Sequence, residues 1–327
     1  MTQYDVVIIG GGPAGLTAAL YTARRQMSTL IVSKDLGGQA ATTTVIENYP
    51  GVGAIDGFEL MTKFRDQAVS FGAKFELGDV HTITPQPDDT FIVQYNTVSV
   101  QARSIILAFG LTPRSLGVPG EAELMGKGVT YTAAAVASTL QNKTVAVVGG
   151  GNSAIESVNL LADIAKQVYL VHRRDRFRAE AILIEKMEGR TNVTKVLNAE
   201  LKAIEGDSQV TSITVLQGPD KTEKTIAVDA VCINAGFMSK TGFLEGIVEM
   251  NEKHEILVTP DCHTNYTGIF AAGDITTSSY KQVVVSAGEG CKAALACYTY
   301  LGHKDGKDVS IDQDWQVKTT DHHFIRS

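Results

Sequence analysis

Cysteine is scarce in this chain: four in 327 residues, at Cys232, Cys262, Cys291 and Cys297, with no CxxC pair among them. Their spacing matches no zinc, haem or iron–sulfur pattern, so no metal site is expected. Cys232 lies in the apolar run 230–235 and reads as a core residue. Cys291 and Cys297 are six apart on an expected helix and point to different faces. No apolar stretch approaches the roughly 20 residues that span a bilayer. The apolar segment 6–12 has no basic region before it and runs into a glycine turn, so it reads as a buried strand and not as a signal peptide. Positive charge is in deficit, with 29 Lys and Arg against 36 Asp and Glu, and a net charge of −7 points away from nucleic-acid and membrane-surface partners. A cytoplasmic protein is the expectation. What remains is ordinary for a globular chain, 44% hydrophobic and 20% charged, over a length that exceeds one usual core and implies two domains.

Residues 4–15 read YDVVIIGGGPAG and are followed by helical spacing over 16–25. Gly10, Gly12 and Gly15 therefore form G-x-G-x-x-G in its functional setting, after a buried strand and at a helix start. Glycine is needed there because the turn is tight, and because a β-carbon would keep a diphosphate from the N–H groups of the helix N-terminus. The pattern recurs at 143–163, KTVAVVGGGNSAIESVNLLAD, with Gly149, Gly151 and Ala154 in the three positions. Two such strand–turn–helix units predict two dinucleotide sites. The strand after the second motif, 167–171, ends in His172, Arg173 and Arg174, with Arg178 beyond. An NAD site would place a carboxylate there for the ribose hydroxyl, whereas arginines suit a 2′-phosphate. The first motif also lacks an acid at its strand end, where Val32-Ser33-Lys34 stands. Near the C-terminus, TGIFAAGDI at 267–275 is a short apolar strand ending in Gly273-Asp274, with Gln282 and a helix to follow. Its place beyond the second motif implies that the first domain is completed after an insertion.

Together these residues resemble the low-molecular-weight thioredoxin reductase family over nearly the whole chain. The matching signatures are GGGPAG at 10–15, GGQ at 37–39, ENYPG at 47–51, GGGNSA at 149–154, HRRDRFRAE at 172–180 and GIFAAGD at 268–274. The resemblance implies an α/β fold of two Rossmann-like, three-layer domains, the NADP domain (117–245) inserted in the FAD domain (1–116 and 246–327). It implies FAD contacts at Gly10, Gly12, Pro13, Ala14, Gly15, Gly38, Gln39, Asn48, Gly110, Gly273, Asp274 and Gln282. It implies NADP(H) contacts at Gly151, Asn152, Ser153, His172, Arg173, Arg174 and Arg178, and a homodimer as the assembly.

One departure from the family pattern governs the chemistry. Family members carry a redox-active CxxC and then an acid just before the second glycine motif. Here that stretch reads GVTYTAAAVA at 128–137, with Thr132 and Ala135 in the cysteine places and Val136 in the place of the acid. Neither side chain forms a thiolate or attacks a disulfide. Lesser departures are His81 and Phe237, the latter where a histidine is usual. The chain also resembles the thioredoxin-reductase-like ferredoxin–NADP reductases, which lack the CxxC and cover the flavin with a C-terminal tail; here a tail follows Leu301 with Trp315, His322, His323 and Phe324. The HRRDRFRAE stretch stands closer to the thioredoxin reductases. Three readings stay open. The first is an NADPH-dependent flavin oxidoreductase that passes electrons to ferredoxin or flavodoxin, a quinone, free flavin or oxygen. The second is an atypical disulfide reductase using other cysteines, and the third a catalytically silent nucleotide-binding sensor. A small electron-transfer protein is a candidate partner for the first, against which the charge of −7 counts if that partner is acidic.

Overall fold

The structure is a computed structural model and describes residues 1–43 and 45–309. It divides into two units. One comprises Met1–Gly38, Met61–Gly110 and the described part of Thr241–Ser327; the other comprises Gln39–Leu60 and Leu111–Lys240. The second unit is thus inserted in the first, with junctions a few residues before the expected 116 and 245. The segment 39–60, expected with the first unit, groups with the second. It is closed on itself by the antiparallel bridge Ile46↔Ile55 and by the amide of Gly57, which donates to the Thr43 carbonyl at 3.0 Å. The tail residues Trp315, His322, His323 and Phe324 lie outside the described residues.

The first unit is built on Gln3–Ile9, a β-branched run whose last four residues are all buried. It pairs in parallel with Thr29–Ser33, buried along its whole length, and with Val98–Leu107. Lys74–Leu77 extends the sheet beyond Thr29–Ser33, and Ile269–Ala271 pairs in parallel with the far half of Val98–Leu107. Continuous apolar runs of this kind belong to parallel strands covered on both faces. The near half of Val98–Leu107 instead pairs antiparallel with Phe91–Tyr95, which pairs with Val80–Pro85. One ten-residue strand therefore serves both the parallel sheet and an antiparallel meander. The helices Pro13–Arg24 and Val283–Lys304 pack closely together, and at their contact a β-carbon on Gly290 would stand 2.9 Å from the Ala14 Cα.

The second unit repeats the plan. Its parallel sheet runs Val193–Leu197, Gln167–His172, Thr144–Gly149, Ala230–Asn234 and Val129–Thr130 in spatial order. Alternate side chains point to opposite faces of a strand. Val145, Val147, Leu170 and Cys232 accordingly meet Ile155, Val158 and Leu161 of the helix Asn152–Ala162. Ala146, Val148, Val171 and Val231 meet Leu201, Ile213, Val215 and Ile226 of a three-stranded antiparallel meander (Ala199–Gly206, Val210–Gln217, Thr222–Ala227). Helix, parallel sheet and meander make three layers, and both units are Rossmann-like.

Candidate functional site

In the first unit the strand Gln3–Ile9 ends at Gly10, whose φ of +112° is a conformation other residues rarely adopt. A β-carbon there would lie 2.5 Å from the Cα of Phe109, and one on Gly15 would overlap the carbonyl oxygen of Gly10. Both glycines are needed to close the turn. Gly12 is different: a β-carbon on it would meet nothing nearer than the Gly37 carbonyl at 3.8 Å. It is the N-cap of Pro13–Arg24, a helix with Pro13 in its first turn, no acidic residue there and no side-chain cap. Open N–H groups facing free space are what a diphosphate requires. The amide of Gly11 donates to the buried hydroxyl of Ser33 at 2.8 Å, so the strand end that lacks an acid pins the glycine loop instead. Asp35 accepts the amide of Gly38 at 2.9 Å, and Gln39 follows in the short helix Gly38–Ala41. Asn48 lies between the paired residues Ile46 and Ile55, and Gly110 has φ +60°.

At the same, C-terminal end of that sheet, a β-carbon on Gly273 would stand 2.9 Å from that of Ala14. Gly273 donates its amide to Glu289 at 2.8 Å, and the Asp274 carboxylate accepts the Ser286 hydroxyl at 3.1 Å. Burial raises the Asp274 pKa above the usual carboxylate value, against the opposing pull of the Ser286 bond and the Lys281 charge. Lys281 donates to the carbonyls of Asp274 and Thr276 at 2.9 and 2.6 Å, and Gln282 is the N-cap of Val283–Lys304. This is a carboxylate held in place by a hydroxyl beside a helix N-terminus, a group suited to a polyol.

The second glycine loop follows Thr144–Gly149. A β-carbon on Gly149 would stand 2.8 Å from that of Ala154, while one on Gly151 would meet nothing within 4 Å. Gly151 is the N-cap of Asn152–Ala162, again with no side-chain cap and no acid in the first turn. Gly150 carries the imidazole of His172, whose Nε2 would be 2.6 Å from a β-carbon there. That ring is buried, stacks on Phe177 at 5.4 Å and bonds the Arg176 carbonyl at 3.1 Å. Burial lowers the His172 pKa, the Arg176 bond opposes this, and the charges of Arg174, Arg178 and Arg173 lower it further. His172 is therefore a neutral post under the arginine loop. Arg173, Arg174 and Arg178 are exposed and make no ion pair among the described residues. Arg173 lines a cavity of about 370 Å³ with Asn198, Glu200 and Lys221. The side chain of Asn152 is bonded to Glu180, and Ser153 is exposed at the helix start.

Thr132 is the N-cap of the short helix Ala133–Val136, held by its neighbour: the Thr130 hydroxyl accepts the Thr132 amide and donates to the Thr132 carbonyl, both at 3.1 Å. Tyr131 donates its hydroxyl at 2.8 Å to Glu121, a buried carboxylate that also accepts the amides of Leu116, Gly117 and Val118. Cys232 is buried, its thiol donating to Asn234 at 3.4 Å, and burial pushes its pKa up to about 12. Burial does the same to Cys262 and Cys297, and all four cysteines are free thiols. His81 is exposed on Val80–Pro85, and Phe237 is exposed where Phe237–Met238 pairs with Thr112–Pro113.

Both glycine loops thus have the open Cα and uncapped helix start that a dinucleotide needs, and the second adds free arginines. Sequence reasoning missed Ser33, Glu121, Glu180, Ser286 and Glu289. Two of them left a signal: Ser33, as the hydroxyl residue at a strand end where an acid is usual, and Glu180, as the last residue of HRRDRFRAE.

Comparison with known proteins agrees with this architecture. The pyridine nucleotide-disulphide oxidoreductase family model matches residues 4–290. A thioredoxin reductase of Mycolicibacterium smegmatis is 38% identical over 308 residues, covering 93% of this chain and 98% of that protein. The crystal structure of Lactococcus lactis thioredoxin reductase superposes with a TM-score of 0.84 at 32% identity, over 92% of this chain and 99% of that one. That of T. acidophilum thioredoxin reductase gives 0.81 at 32% identity, over 91% and 99%. No helix among the described residues is long and apolar enough to cross a membrane. The chain belongs to the pyridine nucleotide-disulphide oxidoreductase family and is a flavin oxidoreductase of the thioredoxin reductase type, which uses FAD and NADPH.

Proposed function

We propose that the first unit holds FAD, the second holds NADPH, and electrons reach the acceptor without passing through a protein dithiol. Gly10, Gly12 and Gly15, with Pro13 and Ala14 between them, would take the FAD diphosphate at an uncapped helix start. Gly38, Gly110, Gly273, Asp274 and Gln282 of the same unit would complete that site, Asp274 accepting from a polyol hydroxyl while Ser286 holds it. Gly151, Asn152 and Ser153 would surround the NADPH diphosphate. Arg173, Arg174 and Arg178, on a loop anchored by His172, would take the 2′-phosphate. When bound, the two cofactors supply hydride transfer from nicotinamide to flavin and the onward release of electrons, for which no side chain need act as acid or base.

The observation that carries the reading is the pair Thr132 and Ala135 in the family's cysteine places. Cys232, in the same unit, is buried with its thiol pushed up to about 12, which leaves almost no thiolate at neutral pH. The acceptor classes that fit are a ferredoxin or flavodoxin, a quinone, free flavin and oxygen. A homodimer in the cytoplasm completes the proposal. Anaerobic stopped-flow tests it. NADPH should bleach the flavin absorbance, and one of those acceptors should restore it while oxidised thioredoxin does not. Rapid reoxidation by thioredoxin or a model aromatic disulfide would overturn it.

A further inference from the structure

The exposed arginine loop is held against the second glycine loop by four contacts, one of them internal to the arginine segment, and none uses an arginine side chain. The His172 ring lies on Gly150, and its Nε2 bonds the Arg176 carbonyl at 3.1 Å. The Arg178 amide donates to the Gly150 carbonyl at 2.7 Å. The fourth tie is reciprocal: Asn152 Nδ2 donates to Glu180 Oε1 at 2.8 Å, and the Glu180 amide donates to Asn152 Oδ1 at 2.9 Å. Asn152 is the first residue of the helix Asn152–Ala162, and Glu180 is the N-cap of Ala181–Glu188. The clasp therefore closes the loop 173–179 against the helix start at which a diphosphate would lie. Long arginine side chains lose conformational freedom when they grip a ligand, and a backbone fixed beforehand lowers that cost.

We infer that Glu180, through its clasp with Asn152, is a positioning residue for recognition of the nucleotide 2′-phosphate. The inference rests on the proposed assignment of the arginine loop to that phosphate. It makes an acid a support for anion binding, which separates it from simple electrostatics. By charge alone, removing Glu180 strengthens the positive field and tightens an anion. By the clasp, removing Glu180 loosens the loop and weakens the anion.

The test uses the full FAD-loaded chain, with 2′,5′-ADP titrated by calorimetry and Michaelis constants measured for NADPH and NADH. Glu180→Gln keeps the acceptor oxygen and loses the charge. Glu180→Asp keeps the charge and loses the reach. Glu180→Ala loses both. A lost hydrogen bond of ordinary strength predicts that Ala and Asp each bind 2′,5′-ADP about fivefold more weakly than Gln. The Michaelis constant for NADPH should rise in parallel and that for NADH should stay within about twofold, less than one lost hydrogen bond would cause. Glu180 is exposed, so all three variants should keep the parent melting temperature. Ala and Gln binding equally, or Ala binding more tightly than the parent, would overturn the inference, as would an equal rise for both nucleotides. The pair Arg173→Ala and Arg174→Ala serves as the separate control. If it leaves 2′,5′-ADP affinity unchanged, the assignment of the loop fails; if it abolishes that affinity while Glu180→Ala does not weaken it, only the role of Glu180 fails.

Discussion

The imidazole of His172 rests on the backbone of Gly150 so closely that a β-carbon there would lie 2.6 Å from Nε2 and nearer still to Nδ1 and Cε1. The middle glycine of the second GGG is thus set by a side chain from the next strand, while its neighbour Gly151 faces open space. Gly150→Ala should displace the ring and overpack the loop, at a cost of about 1–3 kcal/mol. Thermal melting checks the loss, and a raised Michaelis constant for NADPH with an unchanged one for NADH checks its consequence for the arginines.

His172 also carries a pH signature. Its folded-state pKa lies below the ordinary 6.5, chiefly through burial, then through the three arginine charges. As pH falls below about 6.5 the unfolded chain takes up this proton before the folded one does, so stability drops; above that value the contribution is full and constant. Melting temperatures of the parent and of His172→Phe, followed downward from pH 7.5, should converge as pH falls. Parallel curves would show that His172 titrates alike in both states.

Gly12→Asp places a side chain and a negative charge at the open N-cap of Pro13–Arg24, where only the Gly37 carbonyl is near. The purified variant should be folded but colourless, since the anion repels a diphosphate at the site of its binding. The flavin absorbance per chain is the measurement, and a normally yellow protein would contradict the assignment.

Replacing Arg173 and Arg174 together with alanine removes charge-assisted contacts worth roughly 1.5–3 kcal/mol each. The Michaelis constant for NADPH should rise at least about tenfold, one factor of ten corresponding to 1.4 kcal/mol. That for NADH should hardly move. Equal use of both nucleotides by the parent would make these arginines a solvated face.

Features that rest on space were legible in the sequence, and features that rest on distant partners were not. Gly10, Gly15 and Gly149 could be read because a turn and a helix–strand approach leave no room for a β-carbon. Cys232 was legible as core from its apolar run, and it proves fully buried on the helix side of the sheet. The bond between Asn152 and Glu180 was not, because its partners are 28 residues apart and each looks like an ordinary polar surface residue. The expected nucleotide contact at Asn152 carries no hint that the same side chain also bonds Glu180. The grouping of 39–60 with the second unit has no sequence signal for a related reason: its buried apolar residues Ala40, Ile46, Ile55 and Leu60 follow neither a helical nor a strand period.

The central claim is that electrons leave the flavin without any protein thiol. A variant with all four cysteines replaced by serine tests it most directly, by its flavin content, the rate of flavin bleaching under NADPH, and turnover with a quinone or ferredoxin. Cys297 is fully buried beside the Ser104 hydroxyl, so alanine is the fallback at that position if serine lowers the yield. The account predicts full flavin, unchanged bleaching and turnover within about twofold of the parent, well under the tenfold that 1.4 kcal/mol of lost transition-state stabilisation would cause. A variant that retains FAD and is bleached by NADPH, yet passes no electrons onward, would contradict it and make this chain a disulfide reductase with an unconventional thiol.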